Sequence, residues 1–286
     1  MASDLNELLG LLNVEELDNC LFRGFSPSGR TFPVFGGQVV AQSLDAATRT
    51  VDPERVIHSL HAYFLRPGDA GRPIIFHVDP IRNGKSFSTR RVVAKQGGAA
   101  IFNASMSFQI SEPGLDHQLE KPDVPPPDGL ESDQEFWTRM RETFPDKVPG
   151  RRNFFDAIDL RPVERINVFE PKAMPPRRAV WMRTNGRLPD DPNIHRRVLA
   201  YISDLYFMAT ALLPHGVTWW SRKIQGASLD HGLWFHEDCR ADQWLLYDMD
   251  SPRSVGCRGL NRGLFYSQDG RLIASTVQEG LIRLRD

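Results

Sequence analysis

The same run of structural signals appears twice in this chain, and that repetition constrains its fold more than any single motif. In the first half a glycine-led segment, Phe35-Gly-Gly-Gln-Val-Val-Ala-Gln-Ser-Leu44, precedes His58-Ser-Leu-His-Ala-Tyr-Phe-Leu-Arg66 and a meander ending in Ile101-Phe-Asn-Ala-Ser-Met-Ser-Phe-Gln109. In the second, Arg197-Val-Leu-Ala-Tyr-Ile-Ser-Asp-Leu-Tyr-Phe-Met208 precedes Ala227-Ser-Leu-Asp-His-Gly-Leu-Trp-Phe-His236 and a meander ending in Ile273-Ala-Ser-Thr-Val-Gln-Glu-Gly280. A helix-then-sheet unit used twice predicts two packed copies of one small α+β fold. The 286 residues are enough for two such copies. Duplication also lets one copy hold chemistry while the other holds structure.

Local signals fill in the elements. Leu5, Leu8, Leu9, Leu12 and Leu17 predict an amphipathic helix over 4–18, followed by a Gly/Ser/Pro loop over 23–33. Gly36-Gly37 opens a helix running to about Thr50; its first N–H groups suit a carbonyl or an anion, or the glycines only let a helix pass close to a sheet. Strands are expected at 56–66, 73–82, 86–96 and 99–110, with Pro67-Gly68, Asn83-Gly84 and Gly97-Gly98 between them. The proline- and acid-rich stretch 111–150 reads as a crossing linker with a short helix near Ser132–Thr143. Strand-like pieces return at 155–170 and 178–187, then a second main helix over 193–213, ended by Pro214-His-Gly216. Strands at about 225–237, 243–253, 256–267 and 271–284 complete the chain. The expected division is an N-terminal unit at 1–110, the linker at 111–150 and a C-terminal unit at 151–286.

Composition narrows the function. A net charge of −1 gives no nucleic-acid or anionic-membrane surface, and no run is long and apolar enough to span a bilayer. Cys20, Cys239 and Cys257 form no CxxC pair and no metal-ligand spacing, so no metal and no disulfide framework is expected. An acidic N-terminus without an apolar h-region, and a C-terminal Arg283-Leu-Arg-Asp286 that is no peroxisomal address, make the cytoplasm the expected compartment.

Three polar residues stand out in the second half. Asp204 falls opposite an apolar stripe on a helix that is apolar nearly all round, where a carboxylate is costly unless paired. It is either a hydrogen-bonded structural group or a functional one with a displaced pKa. Gln278 shares a strand face with Leu272, Ala274, Thr276, Ile282 and Leu284, so its amide needs both a donor and an acceptor. Ser228, Asp230 and His231 invite a triad reading. No G-x-S-x-G elbow surrounds Ser228, and neighbours in a strand point to opposite faces, which argues against a serine nucleophile. His58, His61 and His77 lie in strands with poor metal-ligand geometry, and Trp219, Trp220, Trp234 and Trp244 read as core aromatics or a tunnel wall.

Taken together, His195–Asp204, Ala227–His236, Phe265–Gly280, Phe35–Gln38, His58–Asp69 and Arg82–Arg91 resemble the type II acyl-CoA thioesterases, over nearly the whole chain and in order. The resemblance implies a double hotdog: two long helices, each wrapped by an antiparallel sheet, the sheets joined side by side. It also implies that an Asp on the second helix, a Thr or Ser at a strand start and a Gln on the last strand orient a hydrolytic water, matching Asp204, Ser228 and Gln278. The better-known bacterial pattern has Thr where this chain has Ser228. Gly36, Gly37, Gln38 and His58 are expected on the substrate side, acyl-CoA is the expected partner, no cofactor is implied, and a homo-oligomer is expected. The alternatives are an acyl-CoA binding or sensing module without turnover, or a hotdog enoyl-CoA hydratase. The hydratase pattern Gly-Asp-x-Asn-Pro-x-His is not met, since Gly68-Asp69 continues Ala-Gly-Arg.

Overall fold

The computed structural model describes residues 4–26, 33–148, 156–221 and 224–285. Most of the expected loop 23–33, and the start of the strand-like piece 155–170, lie outside them.

A short helix α1 (Leu5–Leu12) starts the chain, capped by Asp4, which accepts from Glu7 N. The expected helix 4–18 is thus cut short. Residues 15–24 form a small hairpin, β1 (Glu15–Asp18) and β2 (Leu21–Gly24), and Leu17 is exposed rather than part of the apolar stripe. Helix α2 (Gly36–Thr48) follows, then β3 (Arg55–Phe64), β4 (Ile74–Asn83), β5 (Phe87–Gln96) and β6 (Ala99–Ile110). The linker helix α3 (Asp133–Thr143) carries a complete capping box between Ser132 and Glu135, which explains why its start was readable.

The second half supplies β7 (Ile158–Pro162), β8 (Arg177–Thr184), α4 (Pro192–Ile202), a 3₁₀ helix (Met208–His215), β9 (Ile224–Ser228), β10 (Asp230–Phe235), β11 (Leu245–Val255), β12 (Arg258–Ser267) and β13 (Leu272–Leu284). The piece expected at 155–170 is a strand only over β7, and the expected strand 225–237 is broken at Leu229.

Among the described residues, thirteen strands join one antiparallel sheet in the order β1-β2-β4-β5-β6-β3-β10-β13-β12-β11-β8-β7, with β9 beside β13. The halves meet where β3 pairs with β10, for example His61 opposite Gly232. The sheet curls around α2 and α4, which pack on each other. Val39, Val40, Ala41, Leu44, Ala46 and Ala47 of α2 and Val198–Ile202 of α4 are all buried in one continuous core. The architecture is a double hotdog.

One buried ion pair ties the two helices together. Asp45 on α2 accepts from Val14 N at 2.9 Å and from Arg197 Nη1 on α4 at 2.7 Å, with Arg49 Nη2 at 2.9 Å. Removing one partner of a buried pair leaves the other charge uncompensated. Asp45→Ala is therefore expected to lower the unfolding free energy by roughly 3 kcal/mol, read from the urea midpoint.

Candidate active site

The second main helix does not run to residue 213. It ends at Ile202; Ser203 closes the last turn through its N–H on Leu199 O and its Oγ 2.9 Å from Ala200 O. The chain then turns over 203–207 and resumes as the 3₁₀ helix. Tyr206 sits at φ +64°, a left-handed backbone that a non-glycine residue adopts at a cost of about 1–3 kcal/mol. Asp204 thus stands at the break of the helix, not on its flank. No Gly or Pro marks the break, which is why a periodic pattern ran straight through it.

The turn points Asp204 at the start of α2 in the other half. Its Oδ2 accepts from Gly37 N at 3.0 Å. The anion suited to that helix N-terminus is therefore the protein's own carboxylate, held by the Gly37 N–H and the helix dipole. Gly36 is required by closeness, since a Cβ there would stand 2.6 Å from Asp204 Oδ2 and 3.1 Å from the Phe64 ring. On its other side Asp204 Oδ1 accepts from Gln278 Nε2 at 3.1 Å. Burial dominates its titration and pushes the carboxyl up to about 6, opposed by these two hydrogen bonds.

Gln278 is fully buried on β13, and its amide uses both ends. Nε2 donates to Ser228 Oγ at 2.8 Å as well as to Asp204, while Oε1 lies 2.6 Å from His231 Nδ1. Ser228 and His231 are three apart, a spacing that in a regular strand sends side chains to opposite faces. A bulge reconciles them. Ser228 faces Gly280 and Gly232 faces Val277, so the β9–β10 segment advances four residues while β13 advances three. Ser228 accordingly ends β9 rather than opening a strand, and its hydroxyl also lies 3.3 Å from Met208 Sδ.

The triad remains unassembled. Asp230 accepts from Glu279 N and does not orient His231. Among the other expected site residues, Gln38 reaches Phe25 O and Ser26 Oγ, and His58 Nε2 lies 2.8 Å from Ser107 Oγ. Neither is hydrogen-bonded to the Asp204 group. Asp69, weighed for hydratase chemistry, is exposed and closes a turn on Gly71 N.

A cavity of about 690 Å³ opens beside Asp204. Its walls include Phe35, Tyr206, Leu212, Trp219, Trp220 and, from the linker helix, Phe136 and Trp137. Trp137 lies tilted against Trp220 with ring centroids 5.1 Å apart, and Trp219 and Trp220, two of the four tryptophans read as core aromatics or a tunnel wall, line this cavity. The linker is anchored to the turn that carries Asp204: Tyr206 donates its hydroxyl proton to Asp133 of α3, which Arg165 also contacts.

Residues 150–281 match the family model for acyl-CoA thioesterases, and residues 27–109 match that for the acyl-CoA thioesterase N-terminal domain. The chain belongs to the acyl-CoA thioesterase family. It is 38% identical over 286 residues to acyl-CoA thioesterase 2 of Haemophilus influenzae, covering 100% of both chains. It is 40% identical to human acyl-coenzyme A thioesterase 8, over 96% of this chain and 88% of that one. Among solved structures, an acyl-CoA thioesterase II from Mycobacterium marinum superposes with a TM-score of 0.79 at 40% identity, covering 97% of each chain. In this family member the polar cluster, the glycine pair and the cavity meet at one place between the two halves.

The close fit of Gly36 yields a direct test. In Gly36→Ala the new methyl displaces Asp204, and a misplacement of about 1 Å costs on the order of 10²-fold in turnover. The variant is expected to keep its circular dichroism spectrum and lose thioesterase kcat by about that factor.

Proposed function

We propose that this protein hydrolyses acyl-CoA thioesters to a carboxylic acid and coenzyme A, with a water activated by Asp204 and held by Ser228. The observation that carries this reading is the two-sided use of Gln278 Nε2, which draws the Asp204 carboxylate and the Ser228 hydroxyl to a common point. A water bridging those two oxygens donates a hydrogen bond to the carboxylate. Its oxygen then attacks the thioester carbonyl. Asp204 takes the proton as the tetrahedral intermediate forms, and returns it to the sulfur as the C–S bond breaks.

The environment suits that role. A general base works best with a pKa near the working pH, and a carboxyl held at about 6 is ionised yet basic at neutrality. The N-terminus of α2 adds a positive field beside the developing oxyanion. Gly37 N already donates to Asp204, so it serves the base rather than the substrate. The 690 Å³ cavity beside Asp204 offers room for an acyl or pantetheine chain.

A binding or sensing role without turnover is the competing reading, and the charge settings argue against it. Burying a carboxylate against a helix terminus is a cost that base catalysis explains and simple binding does not.

Asp204→Asn is expected to lower kcat on acyl-CoA by about 10² or more, the usual worth of acid–base catalysis, while still binding a non-hydrolysable acyl-CoA. Near-normal kcat rejects the assignment. In the wild type, kcat/KM should fall as pH drops below about 6, because only the ionised carboxylate accepts the proton. A profile flat to pH 5 contradicts a base with that pKa.

The same reading excludes a covalent route. Ser228→Ala should lose clearly more activity than Ser228→Thr, which keeps the hydroxyl, and intact-mass spectra during turnover should show no acyl adduct. An adduct on Ser228 overturns water activation. The N-terminal half should be catalytically silent: Ser107→Ala, which removes only the partner of His58, should stay within a few-fold of wild type, whereas Gln278→Ala should cost about 2–4 kcal/mol in transition-state stabilisation.

A further inference from the structure

One buried titratable group beside the site has no part in the water chemistry. His231 is 1% exposed, on β10, in an edge-on contact with Phe207 whose ring centroid lies 6.0 Å from its own. Its Nδ1 is 2.6 Å from Gln278 Oε1 and its Nε2 is 2.9 Å from Ser203 Oγ. We propose that His231 is a positioning residue which, as the Nδ1–H tautomer, donates to Gln278 Oε1 and thereby fixes which end of the amide faces Asp204 and Ser228.

The orientation is set outward from the carboxylate. An ionised Asp204 accepts and cannot donate, so Gln278 must turn its NH₂ toward it. Its carbonyl oxygen then faces His231, and at that atom the imidazole must carry a proton. Burial drives the His231 pKa down to about 4, so the ring is neutral near neutrality and holds one proton only. With that proton on Nδ1, Nε2 is an acceptor, and the Ser203 hydroxyl, whose Oγ lies 2.9 Å from both Ala200 O and Nε2, shares its single proton between the two. The chain of bonds thus runs Ser203, His231, Gln278, Asp204, and closes on the residue next to its start. Nδ1–H is the minor tautomer of free histidine, so the site selects against the intrinsic preference.

Without the donor at Nδ1, the amide has little reason to keep its orientation. A flipped Gln278 would place its oxygen against the carboxylate oxygen, and the water site would lose its common anchor. His231 therefore acts through Gln278 and touches neither water nor substrate.

This inference rests on the hydrolytic reading of Asp204, Ser228 and Gln278, so the experiment separates the two. In wild-type protein labelled with ¹⁵N-histidine, the His231 ring, assigned by its absence in His231→Asn, is expected as the Nδ1–H tautomer. An Nε2–H tautomer overturns the proposal whatever the activity. In kinetics, His231→Leu is expected to lose about 10- to 100-fold in kcat with KM within threefold. His231→Asn, whose side-chain N–H falls near the place of Nδ1, should recover most of that loss. On a Gln278→Ala background, His231→Leu should cost nothing further. A folded His231→Leu with wild-type kcat, or a full additional loss on that background, rejects the positioning role. If Asp204→Asn and Gln278→Ala themselves keep wild-type turnover, it is the hydrolytic reading that fails. Should His231→Leu not fold, the wild-type tautomer alone decides.

Discussion

Asp204 belongs to the C-terminal half, yet its carboxylate is held by a backbone N–H of the N-terminal half, and much of the site's geometry depends on that contact. Gly37 N at 3.0 Å and Gln278 Nε2 at 3.1 Å grip the two oxygens from opposite sides. Each grip needs a structural concession. Helix α4 must stop at Ile202 so that Asp204 can leave the helical path, and α2 must begin with residues that carry no side chain. The packing of α2 on α4 brings those two ends together, and the buried Asp45–Arg197 pair holds the helices in that relation.

Desolvation is the second constraint. The same apolar surroundings that raise the Asp204 pKa lower that of His231. One group is kept basic and the other neutral by a single physical cause, because burial penalises whichever form is charged. Between them Gln278 is uncharged at every relevant pH, so it transmits orientation without adding a further charge to desolvate. The linker joins this arrangement through Asp133 and Tyr206, beside the turn that carries Asp204. Burial raises the Asp133 pKa, while the Arg165 guanidinium and the tyrosine hydroxyl draw it back.

Much of the fold was legible before any coordinates. The doubled helix-then-meander pattern, the Asn83-Gly84 and Gly97-Gly98 turns and the short linker helix starting near Ser132 all appear where local chemistry put them. Gln278, flagged as an amide on an apolar strand face, is indeed wholly buried with both ends bonded. The misses share one origin. The hairpin over 15–24 was read as the tail of a helix because Leu17 happened to fit a helical spacing, although it points to solvent. The helix break at Ser203 and the strand break at Leu229 left no glycine or proline to see. His231 was weighed only against a triad, and its real neighbours lie 28 and 47 residues away.

The sequence by itself determined which residues are polar in apolar surroundings, where the main helices start, and that the helix-then-meander order is repeated. Those are local properties, set by periodicity, capping and turn chemistry within a few residues. Tertiary structure alone decided that Ser228 and His231 reach the same amide, because a one-residue bulge against β13 reverses the facing that simple alternation implies. It alone decided that the anion at the start of α2 is Asp204, 167 residues further along the chain. Strand register and helix-end contacts depend on partners distant in sequence, and a pattern read along the chain carries no term for them.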